Sequence, residues 1–345
     1  MGTYEDAINF ENLYESFRFA RRGSFWKDSV IGYDQHRLEE TVKLHRSLAD
    51  GTYKCRGYYK FNVCERGKIR AIQSLHITDR VFQRSLCDQA LIKEVTKGFI
   101  YDNGASQAGK GTEFARNRLV KHMQDFYRKH GMNGYFLQID IHKYFDSIDH
   151  EIMKKIVSKK IKDEKVAAEL YRVIDSFDGG KGVGLGSQIC QLFALMYLDS
   201  MDHYVKDRLS MKWYGRYMDD AWLICESKEK LQRILDDIKE VLAELKLKIN
   251  EKKTQIFPIG NGIRILGFHF YIREGGSVYA KILPESIKRE KRKIRRMIRK
   301  GVPEGRVRQS FVSWRASASY GDSYYKTRKV EQYMNRLLKE RRLNA

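Results

Sequence analysis

The chain has 345 residues, enough to bury a sizeable core and long for a single domain, so two or three subdomains are expected. Its 66 Lys and Arg residues outnumber 44 Asp and Glu residues and leave a net charge of +22, which favours a polyanionic partner such as nucleic acid. A hydrophobic share of 42% is typical of a soluble globular protein. The N-terminus shows no apolar signal segment, and no stretch approaches the roughly 20 apolar residues of a membrane span, so no membrane partner is expected.

The cysteine pattern argues against two kinds of site. Five cysteines are scattered along the chain without a Cys-x-x-Cys pair, so neither a zinc site nor a disulfide framework is predicted. This usage indicates a reducing, intracellular setting, and we expect a cytoplasmic protein. The residues are Cys55, Cys64, Cys87, Cys190 and Cys225.

The first part of the chain predicts helices on either side of a hairpin. Residues 36–50 have the spacing of an amphipathic helix that ends before a glycine. The stretch "YYKFNVCERGKIRAIQSL", residues 58–75, predicts a strand, a glycine turn and a second strand, with Lys68 and Arg70 on a basic hairpin. Residues 79–97 predict a further helix.

The middle of the chain predicts a buried strand, then helices and a second hairpin. The stretch "GYFLQIDIHKYFDSI", residues 134–148, begins as a buried strand and continues into a helix around "DHEIMKKIVSKKI". Residues 188–208 predict a helix, residues 212–225 a hairpin, and residues 228–247 a charged amphipathic helix.

From Ser286 onward, "SIKREKRKIRRMIRK" predicts a strongly basic helix. One interpretation is a solvated surface helix, and the other is a helix that tracks nucleic-acid phosphates. The net charge of the whole chain favours the second interpretation. The candidate nucleic-acid-binding residues are Lys291, Arg292, Arg295 and Arg296.

Two adjacent acids interrupt an apolar run in "WYGRYMDDAWLICES", residues 213–227. Asp219 and Asp220 repel each other within a strand context that is built for partial burial. Either they lie on a solvated hairpin tip, or a cation neutralises them and they carry chemistry.

A third carboxylate favours the cation. Asp140, in "FLQIDIHKYF", follows a buried strand and precedes a turn, so we expect it at the C-terminal end of that strand. If this strand lies beside the hairpin, Asp140, Asp219 and Asp220 converge on one point. Such hard oxygen ligands suit Mg²⁺. Two such ions, about 3.5 to 4 Å apart, can activate an attacking oxygen and stabilise a leaving one during phosphoryl transfer.

These motifs resemble the catalytic core of reverse transcriptases, whose palm carries one Asp on its first strand and two on a hairpin. The "YMDD" stretch and the upstream "IDIHKYFDSIDH" carry the resemblance, which covers most of residues 55–275. Other segments match the family in order and spacing: "RGKIRAIQSLHITDRVFQRSL" in the fingers, "YDNGASQAGKGTEFA" in the following loop and helix, and "LKLKINEKKTQIF" and "IRILGFHF" in the last palm motifs.

The resemblance implies an α+β right-hand polymerase with fingers in residues 1–130, a palm in residues 131–280 and a small basic helical thumb in residues 281–345. It implies an RNA-directed DNA polymerase, a nucleotidyltransferase that uses two Mg²⁺ ions, dNTPs, an RNA template and a DNA or RNA primer. Such enzymes can also work with a small accessory protein and a structured noncoding RNA, in a bacterial or phage-encoded system.

Catalytic roles are implied residue by residue. Asp140 and Asp219 look like metal ligands, Asp220 looks like a third carboxylate at the metal site, and Ile141 looks like a backbone-carbonyl ligand. Phe145 stands where the family places a bulky ring against the 2′ position of the sugar, which would reject ribonucleotides. The alternative for Phe145 is an ordinary core ring.

Contacts to the incoming nucleotide are implied in the same way. Lys68 and Arg70 look like the cations that clamp the triphosphate, a task that suits a point charge and a fork of donors. Lys253 resembles the lysine near the leaving pyrophosphate. The alternative for these lysines is an ordinary surface charge.

The floor beneath the nascent base pair is expected in "GVGLGSQICQLFA", residues 182–194. Leu185 takes the place of the retroviral glutamine there. Gly186 and Gln191 are expected to shape the floor, and a helix cap is the alternative for Gln191.

The same segment resembles the glycine-bearing motif of diversity-generating retroelement enzymes, roughly G-L-P-I-G-x-x-x-S-Q-L-F-A. It departs from that pattern at Val183, Gly184, Leu185 and Cys190. An error-prone enzyme of such a retroelement is the favoured hypothesis. A reverse transcriptase of bacterial antiphage (antiviral) defence is the alternative, and a catalytically silent RNA-binding scaffold is an alternative of another class.

One further motif is a near match to another kind of site. The stretch "GASQAGKGT", residues 104–112, approaches the phosphate loop G-x-x-x-x-G-K-[ST], but Gly111 occupies the hydroxyl position that binds the metal. A loop whose Lys110 contacts template or primer is favoured instead.

Overall fold

The chain folds into helices and antiparallel sheets. The computed structural model describes residues 2–65 and 68–343, without the side chains of Glu65 and Lys68. The helices are α1 Tyr4–Ile8, α2 Phe10–Ala20, α3 Asp28–Gln35, α4 Arg37–Ala49, α5 Ile77–Leu86, α6 Ile92–Thr96, α7 Thr112–His130, α8 Tyr144–Ser147, α9 His150–Lys160, α10 Glu164–Asp175, α11 Gln188–Tyr197, α12 Asp199–His203, α13 Lys228–Glu244, α14 Pro284–Arg299, α15 Glu304–Ala318 and α16 Tyr324–Leu343. The strands are β1 Tyr58–Glu65, β2 Lys68–Leu75, β3 Tyr135–Asp140, β4 Tyr214–Tyr217, β5 Asp220–Cys225, β6 Gln255–Pro258, β7 Ile263–Ile265, β8 Phe268–Ile272 and β9 Val278–Ile282. The predicted α+β class is confirmed.

Short polar side chains begin several helices by accepting from otherwise unpaired backbone N–H groups. Asp149 accepts from the N–H of Ile152 at the start of α9. Ser187 accepts from the N–H of Cys190 at the start of α11. These caps mark the residues at which α9 and α11 begin.

Two predicted helices are interrupted. The helix expected over residues 79–97 changes to a wider π turn at Cys87–Leu91 between α5 and α6. The helix expected over residues 188–208 divides into α11, α12 and a π turn at Tyr204–Arg208. Hydrophobic spacing does not distinguish a π turn from an α-helix over so few residues, so the sequence could not show these interruptions.

The β1–β2 hairpin is antiparallel, and its register pairs Tyr58 with Leu75 and Val63 with Arg70. The residues of its turn, 66 and 67, lie outside the described part of the chain. The two predicted strands of residues 58–75 are confirmed.

Contacts divide the chain into two units. Unit 1 comprises Met1–Lys110, Asp140–Lys212 and Ile234–Asn250, and unit 2 comprises Gly111–Ile139, Trp213–Arg233 and Glu251–Ala345. In unit 1, α2 packs against α4 and α5. The buried side chains of these helices include Phe17, Leu44 and Phe82. The predicted division into fingers, palm and thumb at residues 130 and 280 stays a prediction.

In unit 2 the strands form a four-stranded sheet in the order β4-β5-β3-β6. Strand β3 pairs antiparallel with β6, and β4 pairs antiparallel with β5. Gly134, just before β3, is so near the last residue of β5 that a Cβ on it would lie 3.1 Å from the carbonyl oxygen of Cys225. The start of β3 therefore lies beside the end of β5, and these neighbouring strands run in opposite directions.

Helix α7 covers this sheet, and a three-stranded sheet in the order β7-β8-β9 shares the same core. The Phe126 ring of α7 lies edge-on to Trp213, with ring centroids 5.0 Å apart. A second cluster of unit 2 joins the last three helices through Ile294, Phe311 and Val330. Among residues 2–65 and 68–343, no helix has both the length and the apolar character needed to cross a membrane.

Packing of the β4–β5 hairpin depends on a glycine. Gly215 pairs across the hairpin with Trp222, and a Cβ on Gly215 would lie 2.3 Å from the fully buried indole ring. We expect Gly215→Ala to destabilise unit 2 by about 1–3 kcal/mol, because the ring has no room to move. Urea unfolding, followed by circular dichroism and tryptophan fluorescence, measures the change.

Gly32→Ala is the matched control, since nothing lies within 4 Å of a Cβ at that position in α3. It should be neutral or stabilising by up to about 1 kcal/mol, because alanine is the better helix former. Equal unfolding midpoints for Gly215→Ala and the parent would contradict the packing argument.

Candidate active site

The two adjacent acids lie at the turn of the β4–β5 hairpin. Strand β4 ends at Tyr217, β5 begins at Asp220, and Met218 between them has a left-handed φ of +54°. Asp219 and Asp220 are both half-buried. The hairpin predicted for residues 212–225 is thus confirmed, with the acids at its tip.

A buried arginine stabilises this turn. Arg216 is fully buried, and its guanidinium donates to the carbonyl oxygen of Met218 over 2.9 Å. A bond from a charged donor is stronger than one between neutral groups, so it offsets part of the cost of the left-handed residue. Burial raises the pKa of the neighbouring Tyr217, and Arg116 partly opposes this rise, so Tyr217 is an uncharged phenol at neutral pH.

Asp140 is the last residue of β3, as predicted, and only 7% of its surface is exposed. The Asn250 side chain donates to its carboxylate over 2.8 Å, and the Asn250 backbone N–H donates to its carbonyl oxygen over 2.7 Å. The next residue, Ile141, forms an antiparallel bridge with Ile249. The segment before Glu251 therefore fixes the orientation of the carboxylate.

The directions of the strands place the end of β3 and the start of β5 at the same edge of the sheet. Asp140 is the last residue of β3, and Asp220 is the first residue of β5. Within the described ranges, no three His, Cys, Asp or Glu side chains are gathered closely enough to hold a metal ion by themselves. A site formed by Asp140, Ile141, Asp219 and Asp220 stays a prediction.

Phe145 and Leu185 each form a backbone hydrogen bond in unit 1. Phe145 is half-buried just after Asp140, and its carbonyl oxygen accepts from the N–H of Val183 over 2.9 Å. Leu185 accepts at its carbonyl oxygen from the N–H of Gln73 in β2, also over 2.9 Å. Arg70 is exposed and lies three residues before Gln73 on the same strand.

Gln191 is exposed within α11 and accepts from the hydroxyl of Ser106 over 2.9 Å. Ser187 caps this helix, so the helix-cap alternative for Gln191 is wrong. Gly186 has a φ of +136°, a conformation that favours glycine. Its role beneath the base pair stays a prediction.

The predicted lysines have different surroundings. Lys110 donates to the carbonyl oxygens of Tyr101 and Asn103, over 2.9 and 3.0 Å, so its ammonium organises its own loop. Lys253 lies exposed in the turn before β6. The side chain of Lys68 lies outside the described residues.

The four basic residues predicted to bind nucleic acid lie on α14, whose opposite side packs into the cluster around Ile294. Lys291 and Arg295 lie over the ring of Tyr333 in α16, with the cations 5.2 and 5.9 Å from its centroid. Arg292 and Arg296 are exposed. The predicted helix is confirmed, and it begins at Pro284, two residues earlier than expected.

Sequence reasoning missed three residues that organise these segments: Asn250, Arg216 and Arg116. Buried Arg116 donates to the carbonyl oxygen of Leu266 over 2.7 Å and lies 4.6 Å from the ring centroid of Phe268. An arginine in a basic chain carries no local signal of burial. Of the three residues, only Asn250 could have been found from the sequence, because it lies within a segment that matched the last palm motifs.

The chain is 21% identical to the group II intron-encoded protein LtrA of Lactococcus lactis subsp. cremoris over 351 aligned residues, covering 79% of this chain and 55% of LtrA. It is 28% identical to the protein YkfC of Escherichia coli (strain K12) over 176 residues, covering 39% of this chain and 46% of YkfC. The chain thus spans about half the length of the curated relatives it matches.

A solved structure of apo telomerase from Candida tropicalis, truncated from its C-terminal domain, is similar with a TM-score of 0.48 and 12% identity. It covers 65% of this chain and 55% of that one.

The family "Reverse transcriptase (RNA-dependent DNA polymerase)" matches residues 58–270, more than half of the chain. The match runs from the β1–β2 hairpin through the four-stranded sheet to β8, and it confirms the predicted right-hand polymerase fold. The chain therefore belongs to the reverse transcriptase family.

Proposed function

We propose that this chain is an RNA-directed DNA polymerase that makes cDNA by two-metal phosphoryl transfer with Mg²⁺. The observation that carries the proposal is the shared sheet edge, where β3 ends at Asp140 and β5 begins at Asp220 beside Asp219. Family membership supports the same activity. Its substrates would be dNTPs, an RNA template and a DNA or RNA primer.

The chain's own groups suit this chemistry. Asp140, Asp219 and Asp220 supply hard oxygen donors, and the carbonyl of Ile141 adds a neutral one. Asn250 orients the Asp140 carboxylate, so this ligand is preorganised before any ion binds. The chemistry supplied by two bound Mg²⁺ ions is activation of the attacking primer hydroxyl and neutralisation of charge on the leaving pyrophosphate.

Selection of the nucleotide is assigned to residues around the glycine-bearing segment. Phe145 would exclude the ribose 2′-hydroxyl because an aromatic ring offers it no hydrogen-bond partner. Arg70 with Lys68 would bind the triphosphate, and Lys253 would lie near the pyrophosphate. Leu185, Gly186 and Gln191 would support the nascent base pair.

For the biological role we propose an error-prone enzyme of a diversity-generating retroelement, which uses a structured noncoding RNA and a small accessory protein. The glycine-bearing segment, residues 182–194, supports this role. Antiphage defence is the second candidate, because the segment departs from the retroelement pattern at four positions. A template-repeat and variable-repeat pair beside the gene would identify the retroelement.

A silent RNA-binding scaffold is disfavoured by the three acids. Adjacent carboxylates repel each other and destabilise a strand end unless a cation neutralises them. A protein that only bound RNA would gain nothing from Asp140, Asp219 and Asp220 together. Catalysis therefore explains these residues better.

The first prediction for this function concerns Asp219. Asp219→Asn should abolish primer extension on an RNA template, because one metal ligand is lost while the side-chain volume is kept. Unfolding and RNA binding should change little. Asp236→Asn, at an exposed acid on α13, is the control and should extend normally. Extension by Asp219→Asn at a rate comparable to that of the parent would show that the metal assignment is wrong.

The second prediction concerns fidelity. Leu185 can pack against the template base but cannot make a polar contact, so we expect frequent misincorporation opposite template adenine. Leu185→Gln should reduce these errors up to roughly tenfold, equivalent to about 1.4 kcal/mol of discrimination. Sequencing of cDNA copied from a defined RNA measures the effect. Leu185→Met, which keeps an apolar side chain, should leave the errors unchanged, and a parent with low, uniform errors would contradict the retroelement role.

The third prediction concerns α14. Replacing Lys291, Arg292, Arg295 and Arg296 together with Gln should weaken template and primer binding and flatten its dependence on salt. Each lost phosphate contact removes about 0.7 to 0.9 from the slope of log K against log salt. Fluorescence anisotropy over a salt series measures the slope.

The control for α14 removes the same total charge elsewhere. Its four exposed cations each pair with a carboxylate in unit 1, and they are Arg18, Lys43, Lys97 and Lys165. Their replacement with Gln should leave the slope nearly unchanged. Equal slopes in the parent and the α14 variant would return this helix to the role of a solvated surface.

A further inference from the structure

Residues 182–186, here called the selection segment, are bonded through their backbone on two sides. On one side, the N–H of Gly182 donates to the carbonyl oxygen of Ile148 over 2.7 Å, and the N–H of Val183 donates to Phe145 over 2.9 Å. These bonds attach the segment to α8 and to the residue that follows this helix. They place its first half beside the proposed sugar-selecting ring.

The other half of the selection segment is attached to the fingers hairpin. Ile72 and Leu185 form a parallel bridge, and the N–H of Gln73 donates to the carbonyl oxygen of Leu185 over 2.9 Å. Arg70 lies on the same strand, three residues before Gln73. A shift of the hairpin strand therefore carries the backbone of Leu185 with it.

Gln73 also occupies the space beside both glycines of the segment. A Cβ on Gly184 would lie 2.8 Å from the side-chain Oε1 of Gln73 and 2.8 Å from the ring of Phe177. A Cβ on Gly186 would lie 2.7 Å from the main-chain carbonyl oxygen of Gln73. Glycine at both positions permits the close approach of the segment to β2.

The Gln73 side chain is not held there by a hydrogen bond to its carbonyl. Its Oε1 is buried without a hydrogen-bond partner among the residues that the structure describes. A buried, unpaired amide oxygen is unfavourable for stability. The side chain therefore fills the space beside Gly184, whereas the bond to Leu185 comes from the main chain of Gln73.

We infer that Gln73 is a positioning residue for base selection, which through its backbone bond sets Leu185 relative to the hairpin that carries Arg70. The inference rests on the proposed polymerase function. One rigid connection then joins three proposed contacts of the nucleotide: the triphosphate clamp on β2, the base-pair floor at Leu185 and the sugar-selecting ring at Phe145. Loosening the connection should alter base selection and nucleotide affinity together.

A double-mutant design separates the side chain of Gln73 from its main chain. Gly184→Ala introduces a methyl group against the Gln73 side chain, whereas Gly186→Ala introduces one against the Gln73 main chain in a backbone conformation that alanine rarely adopts. Gln73→Ala should therefore relieve the first substitution in part, since the ring of Phe177 stays in place, and should not relieve the second. The five variants are Gln73→Ala, Gly184→Ala, Gly186→Ala and the two doubles.

Two measurements are made on each variant. Hydrogen exchange of the peptide covering residues 70–76 reports the bond from Gln73 to Leu185 independently of catalysis. Single-nucleotide insertion on an RNA template reports misinsertion frequency, with KM for the dNTP and kcat measured separately.

We expect Gly184→Ala to speed hydrogen exchange in this peptide and to raise the misinsertion frequency roughly tenfold, equivalent to about 1.4 kcal/mol of discrimination. KM for the dNTP should rise by a larger factor than kcat falls. Adding Gln73→Ala should recover at least about half of the exchange protection and discrimination on the logarithmic scale that such double-mutant cycles use. Gly186→Ala should stay impaired in both backgrounds.

Three outcomes would overturn the inference about Gln73 and leave the polymerase proposal intact. They are normal discrimination in Gly184→Ala, equal rescue of both glycine variants, and faster exchange with unchanged misinsertion. Failure of the parent to extend any primer is a different result, because it would overturn the polymerase proposal on which the inference rests.

Discussion

Repulsion between the adjacent carboxylates of Asp219 and Asp220 is the constraint that the surrounding hairpin has to satisfy. Asp219 and Asp220 follow each other at a hairpin turn, and Asp140 ends the neighbouring strand. Groups of one sign are unfavourable in partly buried positions unless their surroundings hold them and an opposite charge neutralises them. The structure supplies the first requirement through the buried Arg216 at the turn and through Asn250 at Asp140.

The supports of the acids come from distant parts of the chain. Asn250 lies 110 residues after Asp140, and its side chain and backbone both bond to that residue. The bond from the Asn250 side chain limits the rotation of the carboxylate, and the backbone bond holds the end of the strand in place. The proposed metal-assisted phosphoryl transfer would use such a preorganised oxygen donor.

Two glycines let the backbone of the glycine-bearing segment, residues 182–194, lie in close contact with β2. Gly184 and Gly186 allow this segment to lie against Gln73, while Val183 bonds to Phe145 in α8. The glycine-bearing segment therefore connects β2 with α8 through its backbone. In the proposed function, a change in its residues would act on nucleotide selection through this connection.

Sequence reasoning determined much of the fold because local patterns report local structure. Hydrophobic periodicity and turn residues placed the β1–β2 and β4–β5 hairpins, the strand that ends at Asp140 and the basic helix at α14. The spacing of the acid motifs also led to the family that the comparison shows. The π turns at Cys87–Leu91 and Tyr204–Arg208 were not predicted, because one extra residue in a turn changes the hydrophobic periodicity too little.

The partners of the site residues were decided only by the tertiary structure. No pattern within a few residues of Arg216 indicates that its guanidinium is buried, or that Lys110 bonds to the carbonyls of its own loop. The contacts of Gln73 with Leu185 and of Asp140 with Asn250 join segments more than 100 residues apart in the chain. Periodicity and capping signals extend over one or two turns of a helix or a few residues of a strand, so they determine which elements form. Which side chains meet depends on how those elements pack, because packing brings together atoms that share no local sequence.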